Sequence, residues 1–426
     1  MTGPVPLRRN REFLLLQSGQ LLSELGHQST AFAYPLVVLA MTGSATKAGL
    51  VLFVRLAAVA VTALPAGLAA DRWDRKRLMI FSDGVRIAAV GALAGAFLSG
   101  TAAFWMIPLV AFVEGAGAGL FRASNAGALR QVVPPVQLPA AIAAQTGRTA
   151  AVALTGPPLG ALLLGIGRAA PFLFDAVSYL ASIGSLLFMR TPFQGERPPD
   201  TEPLRRRLLS GFRFLWQHPF LRAGTVLLGA ANFILPAFTF AVVAIATRQG
   251  LPTVVVGGMV ALFGGCLLLG AALSPLVRRF VPAHGVLVLE LWTYLSVGAF
   301  LVWPNAYVLA AGIILPGLAI PSTDSVIHGY RIAMTPDRLI GRVESAYGSI
   351  ALLVAPLGPL LAGFLIDHAS PRIAIAVFVG LSVALAVAAT VNRALRAAPR
   401  LADLRHAEDG PGQAPDTDLR ASTAGG

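Results

Sequence analysis

A few residues in this chain carry charge where charge is most costly. Glu24 and Glu114 each interrupt a long apolar run close to its middle. A carboxyl group withdrawn from water favours its neutral form, so such a position can take up and release a proton. The deprotonated form would also attract a cation, and competition between proton and cation at one carboxylate is the simplest form of exchange. His27, one helical turn from Glu24, could join a relay. The bland alternative is an internal pair with Arg55, Arg86 or Arg148, which also fall inside apolar runs. These arginines read as structural. Asp83 and Arg86 share one helical face at i, i+3, close to an end where arginine can reach the interface. Asp175 and Asp324 read as interfacial.

These residues need elements that hold them inside a membrane. Of 426 residues, 56% are hydrophobic and 12% charged, and the mean hydropathy is +0.72. A soluble domain carries about twice that charged fraction. Spanning takes about 20 apolar residues. Twelve segments qualify, near 12–39, 48–70, 78–98, 103–124, 140–165, 171–190, 219–247, 253–277, 285–303, 306–327, 341–366 and 371–392. The first is too long and too polar for a signal peptide. Most of the 33 Lys and Arg fall at the termini or in loops on the same side as the termini. Lys47, Arg168, Arg248 and Arg372 fall in loops on the other side. This asymmetry places both termini in the cytoplasm of a multi-pass protein of the cell membrane.

The same composition removes other classes. A net charge of +13 suits cytoplasmic loops facing anionic lipid, not a nucleic-acid partner. Six histidines show no metal-ligand spacing, and the single Cys266 excludes an internal disulfide. No phosphate-binding loop and no G-x-S-x-G elbow is present, so the chain does not read as an enzyme and implies no cofactor or metal.

Organisation follows from the loops. Residues 191–218 separate an N-terminal half, 1–190, from a C-terminal half, 219–392; residues 393–426 read as a disordered cytoplasmic tail. Within the linker, Leu204, Leu208, Leu209, Phe212, Leu215 and Trp216 recur at helical spacing beside Arg205–Arg207 and Arg213, as in a helix lying on the inner leaflet. The halves repeat. Pro158–Gly165 matches Pro356–Gly363, Gly270–Arg279 mirrors Gly67–Lys76 with Ser274 in the place of Asp71, and Pro171 and Pro371 open equivalent spans.

Gly67, Asp71, Arg72, Arg75 and Lys76 stand in the turn between spans 2 and 3 with the spacing G-x-x-x-D-R-x-G-R-K, except that Asp74 replaces the second glycine. This resembles the signature loop of the major facilitator superfamily. The D-R-x-D-R-K form is similar to its macrolide and enterobactin-type siderophore exporters. Gly156, Pro157 and Gly160 resemble the G-P-x-x-G core of the antiporter motif, where small residues let helices approach. Val152 stands where that motif has a further glycine, and Ala111 where span 4 of the antiporters carries an arginine.

The resemblance implies an all-α fold of twelve transmembrane helices in two pseudo-symmetric halves, with the cargo site between them. It implies a monomeric secondary transporter among membrane lipids, driving a drug, macrolide or siderophore outward in exchange for protons. Glu24 and Glu114 then become proton-coupling residues. Phe32, Tyr34, Phe112, Asn232, Phe233, Phe238 and Tyr347 become candidates for the cargo cavity. Gly67, Asp71, Arg72, Arg75, Lys76 and Arg122 become a conformational latch, with Arg130 and the span 11 start at Gly341 and Arg342 as further partners of Asp71. An importer of sugars or metabolites is the alternative within the same fold. A receptor or assembly factor that moves nothing is the alternative outside it.

Overall fold

A computed structural model describes residues 6–191, 193 and 204–397. Among them the regular elements are helices. The first six long ones are α1 (Arg11–Thr42), α2 (Ala45–Arg72), α3 (Arg75–Leu98), α4 (Met106–Val132), α5 (Leu138–Ile166) and α6 (Ala170–Phe188). The linker helix α7 (Leu204–Gln217) follows. Then come α8 (Pro219–Arg248), α9 (Thr253–Phe280), α10 (Ala283–Thr293), α11 (Ala299–Val302), α12 (Ala306–Gly312), α13 (Ile314–Met334), α14 (Asp337–Val354), α15 (Leu357–His368), α16 (Pro371–Val391) and α17 (Arg393–Arg396).

Among the described residues, eleven helical segments are long and apolar enough to cross a membrane. The remaining long helix is α1. Its 32 residues would cover about 48 Å, but Gln17, Gln20, Ser23, Glu24, His27 and Gln28 lower its hydropathy. Three expected spans are interrupted. A 3₁₀ stretch, Tyr294–Gly298, joins α10 to α11; α12 gives way to α13 at Ile313; and α14 gives way to α15 at Ala355–Pro356. Hydroxyls take up backbone groups at the first break: Ser296 donates to the carbonyls of Thr293 and Gly312, both at 2.6 Å.

Several helices outrun the apolar segments that announced them. The ladder of backbone hydrogen bonds does not stop where the side chains turn polar, so α4 continues to Val132 and α13 to Met334. Of the expected tail, Arg393–Arg396 makes a helical turn capped by the Asn392 side chain; residues 398–426 lie outside the described ones. In α7, Leu215 is buried while Leu209 and Trp216 are exposed. The side chains of residues 204–208 lie outside the described ones.

The end of the bundle that holds Arg11, α7 and α17 is called the near end. At the opposite, far end, α2 and α15 touch backbone to backbone. A Cβ on Gly49 would lie 2.3 Å from the carbonyl oxygen of Pro359, and one on Gly363 2.3 Å from that of Ala45. Only glycine allows this approach. The repeated segments make equivalent contacts within their halves: Gly160 of α5 abuts Ser29 of α1, and Gly358 of α15 abuts Phe233 of α8.

Candidate functional site

The N-terminal half buries a compact ionic cluster at mid-depth. Glu114 of α4 is fully enclosed. Its Oε1 lies 2.6 Å from Nδ1 of His27 on α1 and 3.6 Å from Nη2 of Arg55 on α2. Its Oε2 accepts from the Tyr34 hydroxyl at 2.7 Å. Arg55 Nη2 is also 2.6 Å from His27 Nε2. His27 thus sits between a carboxylate and a guanidinium.

A second arginine completes the cluster. Arg86 of α3 pairs with Asp83 at 3.2 Å, donates to the Tyr179 hydroxyl and lies over the Tyr179 ring at 3.9 Å. Its Nη2 is 3.0 Å from His27 Nδ1. Asp175 of α6 is fully buried beside them. One oxygen of each of Glu114 and Asp175 and one nitrogen of His27 lie within 4.8 Å of one another. That spacing would admit a metal ion, but two guanidiniums already supply the positive charge there, so the set suits a proton better.

Charge balance constrains the cluster. Two fixed guanidiniums, Arg55 and Arg86, face three carboxyls, Asp83, Glu114 and Asp175. With His27 neutral, the cluster is electrically neutral when its carboxyls hold one proton. Losing it leaves a net negative charge in low dielectric, which is costly. Among the described residues, Asp175 Oδ2, Asp83 Oδ2 and Glu114 Oε1 are buried without a hydrogen-bond partner, which leaves them sites where that proton can sit.

A cavity of about 390 Å³ opens beside the cluster, on its near side. Its lining comes from α1, α3, α4 and α5, and His27 and Arg86 belong to both cavity and cluster. Glu24 lines it too, but α5 neutralises that carboxylate. Arg148 makes a two-pronged contact, Nη2 to Oε1 at 2.8 Å and Nε to Oε2 at 3.2 Å, and also donates to Gln17 Oε1 at 2.5 Å. Arg122, expected in the latch, lines this cavity as an exposed side chain.

The other candidates separate. Tyr34 belongs to the buried cluster. Phe32 lines a pocket of about 200 Å³ between the halves, opposite Phe240 of α8. Phe233 and Phe238 pack on Phe378 inside the C-terminal half, with ring centroids 5.4 and 5.9 Å apart, and Phe238 is fully buried. Asn232 turns its amide back onto the Leu228 carbonyl at 2.9 Å. Phe112 is exposed in an outward groove of about 630 Å³ between α2, α3 and α4, with Arg72 and Trp73 at its rim. Tyr347 stacks under Arg331, whose guanidinium is 3.8 Å above the ring and holds Glu344 at 2.7 and 2.9 Å.

The turn between α2 and α3 ties the N-terminal half to itself. Lys76 donates to the Met189 carbonyl at 2.7 Å, and buried Arg75 reaches the carbonyls of Ala70 and Phe193 at 3.2 and 3.4 Å. Asp71 lies 3.8 Å from Arg75. Asp74, the residue that departs from the motif, caps α3 by accepting from the Arg77 amide at 2.8 Å. Gly67 faces open space. Gly156 abuts Gln28 of α1, and the Pro157 carbonyl lies 3.0 Å from a Cβ built on Gly257 of α9. The start of span 11 meets the linker: a Cβ on Gly211 would lie 2.2 Å from the Arg342 carbonyl oxygen. The side chain of Arg130 lies outside the described ones.

At the far end, Asp367 of α15 binds the start of α2. It accepts from the backbone N–H groups of Ala45 and Thr46 at 3.0 and 2.8 Å, and from the hydroxyls of Ser44 and Thr46 at 2.8 and 2.7 Å. Arg248, at the end of α8, pairs with the same carboxylate.

Sequence reasoning read Arg55 and Arg86 as structural partners, placed Asp175 at an interface and not in the cluster, and missed Glu290 of α10 altogether, a carboxyl buried in the C-terminal half. A glutamate inside V-L-V-L-E-L-W was signal enough to find it.

The model of the Major Facilitator Superfamily matches residues 18–291. The multidrug efflux pump Tap of Mycolicibacterium fortuitum is 29% identical over 414 residues, covering 92% of this chain and 96% of that one. The enterobactin exporter EntS of Shigella dysenteriae is 25% identical over 344 residues, covering 78% and 79%. Among solved structures, the nucleoside transporter NupG superimposes with a TM-score of 0.67 at 14% identity, over 91% of this chain and 100% of that one. A bacterial homologue of the human lysosomal transporter Spinster, inward-facing and unoccupied, gives 0.65 at 16% identity, over 95% and 98%.

Proposed function

Because the chain belongs to the major facilitator superfamily, and is therefore a multi-pass membrane transporter and not an enzyme, we propose that it exports an amphiphilic small molecule in exchange for protons. The observation that carries the proton half is the Glu114–His27–Asp175 cluster with its two arginines. It is neutral with one proton, it is closed to solvent at Glu114, and it meets the cavity at His27 and Arg86. A proton arriving through the cavity would be taken by the cluster. Its loss would leave a buried negative charge that favours rearrangement of α1, α4 and α6 around it.

The cargo half rests on the cavity and on the relatives. The wall mixes amides and hydroxyls (Gln20, Gln145, Thr149) with apolar surface (Phe121, Val152, Ala153), which matches a molecule with both characters. By their names, two relatives export drugs and enterobactin, and the reading takes this chain's cargo from that range. The charge asymmetry of the loops supports taking the end that carries both termini as cytoplasmic, and the far-end contact of α2 with α15 then supports reading this conformer as inward-open in an alternating-access cycle.

Glu24 is the weaker proton candidate, because Arg148 holds both its oxygens. Glu114→Gln should therefore abolish uncoupler-sensitive export in cells or proteoliposomes, with normal membrane expression, while Glu24→Gln retains a measurable proton-driven fraction. Full proton-driven export by Glu114→Gln refutes the assignment.

A further inference from the structure

We infer that the cargo carries an anionic group, and that Arg122 receives it. This rests on reading the 390 Å³ cavity as the cargo site. Three charged side chains and one histidine line that cavity, and Arg148 stands behind one of them. Arg86 is engaged by Asp83 and Tyr179, and His27 by Glu114 and Arg55. Glu24, 37% exposed, gives both oxygens to Arg148, so its charge is answered within the protein. Arg122 differs. It is exposed on the cavity wall, and among the described residues no carboxylate lies within 4.0 Å of its guanidinium. The C-terminal half repeats the arrangement of the first pair, with Glu344 held by Arg331 through two contacts. The carboxylates bordering the route are thus answered by arginines of the protein, and the cation left to meet cargo is Arg122.

The surroundings suit a planar or tetrahedral anion. Gln145 and the Gln20–Asn125 pair line the same wall, and amides can donate to oxygens that the guanidinium leaves free. A guanidinium presents its N–H groups as a fork that matches carboxylate, sulfonate or phosphate oxygens in pairs. Phe121, Val152 and Ala153 then cover the apolar body of the molecule. The expectation drawn from sequence, that intramembrane carboxylates would attract a cationic cargo, is reversed here because both carboxylates already have partners inside the protein.

The test uses three probes that share one fluorophore and differ in charge: dansylglycine (anionic), dansylamide (neutral) and dansylcadaverine (cationic). Binding is followed by dansyl fluorescence to the purified full chain in phosphatidylcholine nanodiscs. Dansylglycine should bind roughly ten- to a hundredfold more tightly than dansylamide, as a charge-assisted contact implies. Arg122→Gln should erase that preference, and Arg122→Lys should keep part of it. Equal affinity for the three probes, no binding of dansylglycine, or an Arg122→Gln variant that still prefers it overturns the inference. So does a preference for dansylcadaverine that Glu24→Gln removes. The readout needs no flux and no gradient. A protein that binds the anion through Arg122 yet moves nothing would refute the export reading and leave this one standing. Proton-driven export with no charge preference would do the reverse. A thermal unfolding profile matching the unaltered chain shows that Arg122→Gln is folded.

Discussion

The helices α2 and α15 meet at the far end, and the first of them carries a conspicuous aspartate at its other end. The two carboxylates concerned, Asp367 and Asp71, sit in opposite electrostatic settings. Asp367 lies at the start of α2, where unpaired N–H groups and the positive end of the helix dipole converge. Two amides, two hydroxyls and Arg248 all point at it, and its side chain is 15% exposed. Asp71 lies at the last turn of α2, where the dipole favours cations. It has Arg75 at 3.8 Å, and its side chain is 56% exposed. The sequence motif draws attention to Asp71, yet in this conformer the clasp between the halves is made by Asp367. A gate that alternates needs two such clasps, each strong in one state and idle in the other. One end of the molecule is seen with its clasp made.

The comparison breaks first at Asp367. Each hydrogen bond to a charged group contributes about 1.5–3 kcal/mol. Four of them share one carboxylate and will not add fully, but their joint loss should exceed any other change in the gate. Asp367→Ala should move the population toward a far-end-open state by a hundredfold or more at about 1.4 kcal/mol per decade. A single cysteine at Thr239, which lines the pocket between the halves, reports it after Cys266→Ser. Its labelling from the outer side by a membrane-impermeant maleimide should rise sharply. Unchanged labelling means that the glycine contacts alone close the far end.

Arg248 sharpens the same point at smaller scale. It is 34% exposed, so its pair with Asp367 is screened and worth about 0.5–1 kcal/mol. Arg248→Gln should raise Thr239→Cys labelling only about two- to fivefold. An effect as large as that of Asp367→Ala would move the clasp from the start of α2 to the end of α8.

The two carboxylates also show what sequence could and could not tell. The membrane fold was legible from long apolar runs, and the turn at Gly67–Arg77 from charge that hydrocarbon cannot hold. Glu114 was legible as a mid-depth carboxylate. Direction around each helix was not. Lipid and protein core are both apolar, so the lipid-facing side of a span carries no polar signature. Hence Phe112 faces an outward groove, Phe238 is buried within one half, and Asp175, placed near an interface by its depth, turns inward to the cluster. Glu24 and Arg148 are 124 residues apart, and their pairing depends on how α1 and α5 pack. Asp367 sits past the end of an apolar run, where an acidic residue looks ordinary. Its partners come from a turn more than 300 residues earlier.

The smallest expected effect on this conformer, and the last test of the comparison, is at Asp71. A carboxylate that is 56% exposed is screened by water, so its contacts are each worth little here. Asp71→Asn should therefore leave the thermal stability of the far-end-closed form nearly unchanged. Its proposed work lies in the opposite state, where the near end closes and Asp71 would meet the start of α14. In the present conformer the linker helix occupies that place, with Ser210 and Gly211 against Arg342. If closure exchanges the linker contact for Asp71, a partly buried charge-assisted contact of about 1.5–3 kcal/mol is at stake. Removing it should shift the population toward the near-end-open form by roughly ten- to a hundredfold and slow turnover, with binding of dansylglycine little changed. Cysteine accessibility across the near end, measured beside that binding, decides the matter. Unchanged accessibility together with lost binding would make Asp71 a cargo residue and leave Asp367 without a counterpart.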